Sequence, residues 1–491
     1  MSTFEPGRRS LLKASLLLPI AGSLVTDYAA ARESTKAASA QASFAIKPDG
    51  KGRVVSDSLA SLSYETGQLA DPAFFSPDNH SLIALLRELN PHGVLRIGGN
   101  TSDVTAWSEY HGTLPAEQPH KSGPQHPVTL QPESLRNLAG FLRATGWKLV
   151  FGVNLRVGVP AMAVALAQAV RDAVGESLLA IQIGNEANNY EKDYDQFDAA
   201  WAPYAQALGA AGLPLAGPDT GANSDWVIDY ARKHAAENRF LSRHYYRDAA
   251  PRGSIGDLLG GDPGLLEGME HLVGVADDVH LPVRLTEANS YYFGGRDGVS
   301  NVFAAALWAA DFMLGLATLG VAGIHFHGGT LASVEASLGN DVDGTANAGE
   351  LSAKRNAVSS RYSPIAGNVA LGFQARPLYH GIALAQRFAG ARMLPGKLDT
   401  GGANLGAYAG RHEEGVLVAL INKDLLLDAE VSLQAEGFSI QNLERLQAAS
   451  PDSRETAGLV ATPWRGDAAN GLRIHVPRAS AMLVRMQKRS T

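Results

Sequence analysis

The sequence predicts an α/β fold, a (β/α)8 (TIM) barrel followed by a C-terminal β-sandwich domain, and three observations carry that expectation. From about residue 57 onward, amphipathic helices alternate with short strands, separated by Gly or Pro breaks. Those strands are apolar at nearly every position, as parallel strands covered by helices on both faces are. After residue 391 the texture changes to short strands and turns with no long helix, which is the signature of a sandwich.

The elements follow in order. SLASLSYE (58–65) opens the series as a first strand. SLIALLREL and Asn90-Pro91 lead into GVLRIGG, LRNLAGFLRAT and Gly146 into WKLVFGVNL, and AMAVALAQAVRDAV into LLAIQIGNE. The next four helices lead in turn into PLAGPDT, RFLSRHYY, PVRLTEAN and AGIHFHGG, and PLYHGIALAQRFAG (377–390) supplies a last helix. Long loops over 330–374 are expected at the barrel mouth. Eight such units over roughly 330 residues suit a barrel with insertions. A doubly wound sheet is the alternative, but LRIGGNTSD lacks the G-x-G-x-x-G spacing that would support it. The expected boundaries are 57–390 for the barrel and 391–491 for the sandwich, built from GVLVALINKD, AEVSLQAEGF, GLRIHVP and SAMLVRMQK. Residues 32–56, with strand character in SFAIKPDGKGRVV (43–55), are expected to pair into the same sandwich.

Composition excludes several classes. With 45% hydrophobic and 19% charged residues, the 491-residue chain is a cored globule rather than a disordered one. No cysteine is present, so disulfides, a thiol nucleophile and thiolate metal sites are excluded. A formal charge of −7 gives no basis for nucleic-acid binding. Residues 1–31 stand apart: Arg8-Arg9 precede the apolar run LLKASLLLPIAGSLV, and Ala29-Ala30-Ala31 offer small residues for cleavage. The run is too short and interrupted to span a bilayer. It resembles a bacterial twin-arginine export signal, with a Sec signal as the alternative. The expected location is therefore periplasmic or extracellular in a bacterium, with no membrane association after export.

In such a barrel, side chains at the C-terminal strand ends converge on one mouth. Those positions here hold Glu65, Arg96, Asp103, Asn154, Asn185, Glu186, Asp219, His244, Tyr245, Tyr246, Glu287, Asn289, His325 and His327. Two carboxylates stand out. Glu186 ends the fourth strand and Glu287 the seventh, 101 residues or about three barrel units apart, which puts them across the mouth from each other. Two carboxylates facing over a sugar-sized gap are what glycoside hydrolysis requires. A single Glu after a strand is more often a helix-capping or ion-pairing residue; the pair, each beside an Asn or Thr, favours catalysis. His325 and His327 lack a third metal ligand at suitable spacing and read as hydrogen-bonding mouth residues. Arg96 fits a buried ion pair and a substrate ligand equally well. No metal or organic cofactor is called for.

The motifs LRIGGNTSD, GNEAN, RHYY and TEANSYYFGG, in that order, resemble glycoside hydrolase family 79 of clan A, which contains β-glucuronidases and heparanases. The resemblance covers barrel and sandwich. It implies Glu186 as general acid/base and Glu287 as nucleophile, with Asn185 on the sugar 2-hydroxyl. It further implies Tyr246, with His244, orienting Glu287, and Asp103 and Glu65 on sugar hydroxyls away from the leaving group. In YYFGG (291–295) it implies a carboxylate cradle from Tyr292 and Gly294, with Gly295 nearby. Glycines admit close backbone approach, and N–H donors hold an anion without a full charge; the bland reading is a flexible loop. Phe293 intervenes between tyrosine and glycines, as in bacterial β-glucuronidases rather than heparanases. Tyr362 in RYSPI is a candidate to close the mouth, or else packs the loop.

No Lys/Arg cluster surrounds the strand ends, so the expectation is an exo-acting enzyme removing terminal β-linked glucuronic acid from a glycan or glycoconjugate. The mechanism expected is retaining double displacement, with the carboxylates about 5–5.5 Å apart. The alternatives are another clan A retaining glycosidase, such as a β-xylosidase or arabinofuranosidase, and a non-catalytic carbohydrate-binding barrel.

Overall fold

The computed structural model describes residues 38–114, 123–340, 351–412, 415–464 and 472–489. The expected export signal at 1–31 lies outside the described residues. Eight strands close a parallel barrel in sequential order: β1 Ala60–Glu65, β2 Val94–Gly98, β3 Lys148–Val153, β4 Leu178–Ile183, β5 Leu215–Thr220, β6 Asn238–Ala249, β7 Val283–Tyr292 and β8 Gly323–Gly328. Buried residues run almost unbroken through them; β1, β2, β5 and β8 expose nothing. That is the cost-free place for runs such as Val94-Leu95 and Ile324, covered outside by helices and filled inside by neighbours.

Local chemistry sets the helix starts. Asn79, Asp193, Asn223 and Asp262 each accept a first-turn N–H with the side chain, which satisfies donors the helix itself cannot. Pro132, Pro160, Pro263 and Pro377 occupy first helical positions, where a missing N–H costs nothing. The helix Phe303–Leu319 is buried on nearly all sides, because it lies between the barrel and a six-stranded sheet.

That sheet runs in the order 392–394, 405–412, 415–422, 480–488, 438–447, 459–461. The strand Gly415–Asn422 shows why it is apolar throughout. Leu417, Ala419 and Ile421 pack into the barrel core, while Val416, Val418 and Leu420 point to the second sheet, the two-residue alternation of a strand buried on both faces. The second sheet has four strands, 396–399, 39–46, 428–434 and 472–476. Ser39–Ile46 pairs parallel with Asp428–Gln434 and antiparallel with Gly396–Asp399. The N-terminal strand thus begins earlier than the 43–55 segment expected. The 330–374 region is more regular than a loop: it holds helices Leu331–Ser337 and Leu351–Ala357 and a hairpin, Ile365–Asn368 with Gly372–Ala375.

No helix among the described residues is long and apolar enough to cross a membrane.

Candidate active site

The barrel mouth opens onto a cavity of about 500 Å³. Its walls include Glu65, Asp103, Asn185, Glu186, His244, Tyr246, Glu287, Tyr292, His327 and Tyr362. Two irregularities aim the reactive groups. Where β7 pairs with β6, the register shifts between Leu285 and Glu287, leaving Thr286 as the extra residue. Such a bulge re-aims the following side chain, and it is Glu287 that follows. Glu186 leaves β4 in the left-handed region, φ 48°, and its N–H donates to the Asp219 carbonyl at 2.9 Å. A non-glycine residue in that conformation needs its surroundings to hold it.

An oxygen of Glu186 and an oxygen of Glu287 lie within 4.8 Å of each other. Oxygens that close are compatible with the about 5–5.5 Å between carboxyl groups that a retaining mechanism uses. Glu287 is buried and doubly held: Tyr246 Oη donates to Oε1 at 2.8 Å, and Arg96 Nη1 to Oε2 at 2.6 Å. Burial alone would push its carboxyl pKa up. The imidazoles of His327 and His244, the Arg96 guanidinium and the Tyr246 hydrogen bond outweigh that and hold it down, at about 2. Glu287 is therefore an anion at any pH where the protein functions. Glu186 is more open, its side chain 21% exposed, with His244 Nδ1 at 2.8 Å and Asn189 Nδ2 donating at 2.8 Å. Burial opposes a charge on His244, but Asp219 and Glu287 more than compensate, raising its pKa to about 10. Its ring is protonated and donates to Glu186.

The expected residues do not all serve as expected. His244 was grouped with Tyr246 on Glu287; it faces Glu186 instead: both side chains point inward from β6, two residues apart, and His244 reaches the Glu186 end of the pair while Tyr246 reaches Glu287. Of the RHYY pair, Tyr246 contacts Glu287, and Tyr245 turns away to Asp262 at 2.7 Å. Asp103 was expected on a sugar hydroxyl, yet its oxygens accept the N–H groups of Leu155 at 3.2 Å and Asn185 at 3.1 Å. It holds up the Asn185-Glu186 backbone, and desolvation raises its pKa to about 6 against those hydrogen bonds. Glu65 keeps Oε2 on Thr101, through N–H at 2.9 Å and Oγ1 at 2.6 Å, with Oε1 3.5 Å from His327. Asn185 bridges Arg96 Nη2 (2.7 Å) and Asn100 Oδ1 (3.0 Å).

His325 is not a mouth residue: it is wholly buried beneath, accepting from Arg284 Nε at 3.1 Å, and takes no part in the cavity wall. Arg96 resolves as the buried ion-pair partner, with no solvent exposure. Tyr292 and Phe293 line the cavity, whereas Gly294 and Gly295 sit behind them, buried. The Gly294 carbonyl accepts from Arg361 (2.8 Å) and Tyr362 (3.2 Å), stitching this loop to the one carrying Tyr362. Tyr362 is buried beside Tyr246, ring centroids 6.0 Å apart, as a fixed wall rather than a mobile cover.

Sequence reasoning missed Arg156, which lines the cavity 5.2 Å above the Tyr190 ring. It is the one Lys or Arg among the described wall residues, a single basic side chain rather than a cluster; it follows β3 by three residues, where nothing in the pattern singles it out. Glu186, His244 and Glu287 are also close enough to surround a cation. Their donors are committed, however: both Glu287 oxygens and His244 Nδ1 already hold partners, and a protonated imidazole is no ligand.

No family model matches the chain. A β-glucuronidase of Neurospora crassa is 45% identical over 58 residues, which is 12% of this chain and 10% of that protein's length. Among solved structures, the fold is similar to a 4-O-α-L-rhamnosyl-β-D-glucuronidase from Fusarium oxysporum 12S, with TM-score 0.64, 18% identity and coverage of 90% of this chain and 99% of that one. It is also similar to a family 51 arabinofuranosidase from Xanthomonas axonopodis pv. citri, with TM-score 0.63, 15% identity and coverage of 91% and 100%. The fold is thus a (β/α)8 barrel with an added sheet domain, similar to that of those enzymes.

Proposed function

We propose that this protein is a retaining exo-β-glucuronidase, acting by double displacement on terminal β-linked glucuronic acid. The observation that carries the reading is the carboxylate pair, oxygens within 4.8 Å, one arm ionised between Arg96 and Tyr246 and the other open to the cavity beside His244. Glu287 attacks C1 while Glu186 gives its proton to the departing oxygen; Glu186 then takes a proton from water, which displaces Glu287 and releases the sugar with its configuration kept. Asn185 stands beside Glu186 to hold a ring hydroxyl.

The sugar's carboxylate is assigned to the Tyr292–Gly295 loop. Residues 293, 294 and 295 all have positive φ, at 66°, 76° and 86°. The buried N–H groups of Gly294 and Gly295 donate to no described residue, and buried donors call for an acceptor. The similarity to glucuronidases supports the same sugar. Likeness to a family 51 arabinofuranosidase supports a second reading, a neutral pentose as substrate. The leader at 1–31 supports export through the twin-arginine route.

The test compares p-nitrophenyl β-glucuronide, β-glucoside and β-xyloside, with proton NMR of the first-formed sugar. The expected result is selective glucuronide cleavage, β-anomer first, and loss of roughly 10⁴-fold or more in kcat on Glu287→Gln. Preference for a neutral sugar sinks the cradle; an α-anomer first sinks retention; no turnover leaves only a carbohydrate-binding barrel.

A further inference from the structure

One buried carboxylate has no part in the chemistry above. Asp219 ends β5 without solvent exposure, at a register shift against β6, and holds φ at 58°. Two left-handed residues clasp each other here, since the Asp219 carbonyl accepts the Glu186 N–H at 2.9 Å. The Asp219 N–H is in turn held by Ser242 Oγ at 3.1 Å.

Its side chain divides its two oxygens between the two reacting groups. Oδ2 accepts from Arg96 Nη2 at 2.6 Å, and the other arm of that guanidinium holds Glu287 Oε2 at 2.6 Å. Oδ1 accepts from Gln182 Nε2 at 2.6 Å and from Thr286, the neighbour of Glu287. Oδ1 also lies 3.1 Å from His244 Nε2, an ion-pair contact without hydrogen-bond geometry, and the opposite ring nitrogen faces Glu186 Oε1 at 2.8 Å. A residue serving only to hold the barrel together would not need to reach both carboxylates.

We propose that Asp219 is a positioning residue that fixes Glu186 and Glu287 against each other and, through His244, sustains proton donation by Glu186. The proposal rests on Glu186 as acid/base and Glu287 as nucleophile. In the first step the C1–O bond to the leaving group breaks as the Glu287 oxygen bonds C1, and the Glu186 proton passes to the leaving oxygen. Negative charge then grows on Glu186, 2.8 Å from the His244 ring. An imidazolium held charged by the Asp219 carboxylate 3.1 Å away stabilises that charge in a site shielded from water. With that carboxylate neutralised, the ring loses its proton more readily and the stabilisation goes with it. The loss is greatest where proton transfer matters most, on poor leaving groups.

The experiment measures kcat/KM of wild type, Asp219→Asn and His244→Gln on phenyl and 2,4-dinitrophenyl β-glucuronide. Each variant is expected to lose about 10²–10³-fold on the phenyl substrate and about tenfold or less on the dinitrophenyl one. The double variant should be no worse than the poorer single within about threefold, because both act on one unit. Equal losses on both substrates, or multiplying losses, overturn the proposal. Thr286→Val keeps the charge and removes one donor to Asp219. It is expected to show the same selectivity in smaller measure, and equal losses there overturn the proposal even where Asp219→Asn does not fold. If wild type prefers xylosides, the same pair of leaving groups is used on xylose, so that a wrong sugar and a wrong role for Asp219 give different results.

Discussion

A single imidazole connects stability to pH in this site. His244 is 1% exposed and its pKa is raised to about 10 by Asp219 and Glu287 despite burial. The folded protein keeps a proton that the unfolded chain releases near 6.5, so His244 contributes stability fully below that pH and loses it as pH climbs toward 10. Thermal unfolding of wild type between pH 6 and 10 should therefore fall more steeply than that of His244→Gln; parallel curves would contradict a charged ring. The placement of Glu186 and Glu287 at the mouth was readable because each ends an apolar strand, and both do line the cavity. The partner of His244 was not readable. Which carboxylate His244 meets depends on the extra residue at Thr286, which shifts β7 against β6, and a bulge leaves no mark in composition. Asp219 shares that difficulty, since its role comes from a left-handed backbone at another register shift.

At the level of elements, the loop after β7 is held from outside the barrel. Arg454 of the sandwich makes a two-pronged pair with Asp297, at 3.1 and 3.0 Å. The first-turn N–H groups of Phe303 and Ala304 donate to the Ser453 and Pro451 carbonyls at 2.8 Å each. Exposed pairs contribute about 0.2–1 kcal/mol, so Arg454→Ala should barely alter the melting temperature. By loosening the Tyr292–Gly295 loop, it is expected to raise KM for an aryl glucuronide roughly two- to fivefold while sparing a neutral glycoside, as steady-state kinetics on both will check. The barrel strands were legible from apolar runs bounded by Pro and Gly. Five sandwich strands were not, and the two longest of them show why. Leu405–His412 carries small and polar residues across its middle, and in Phe438–Gln447 a register shift between Ile440 and Asn442 breaks the alternation that would announce a strand.

For the whole molecule, the barrel and the six-stranded sheet share one core. Leu417, Ile421 and Leu483 of the sheet pack with Trp308, Phe312 and the rest of the barrel cluster, and Lys423 pairs with Asp311 at 2.7 Å. Ending the chain at residue 390 would bare the helix Phe303–Leu319, whose outer face is as apolar as its inner one. Such a truncated barrel is expected to be insoluble or to unfold at least 10 °C lower, by about 4–8 °C per kcal/mol in a small domain and less in a large one; a soluble barrel of unchanged melting temperature would show that the two parts are independent.

The parallel pairing of Ser39–Ile46 with Asp428–Gln434 sets the order in which the molecule can be completed. Ser39 meets Asp428, about 390 residues further along the chain. The four-stranded sheet cannot form until nearly the whole polypeptide has been synthesised, however early its first strand leaves the ribosome. Contacts of such long sequence separation form late and slowly. Until then the alternating Ala40, Ala42, Phe44 and Ile46 face is an unpaired sticky edge. Refolding should accordingly end in a slow phase that reports this strand docking, after the barrel has already acquired its shape.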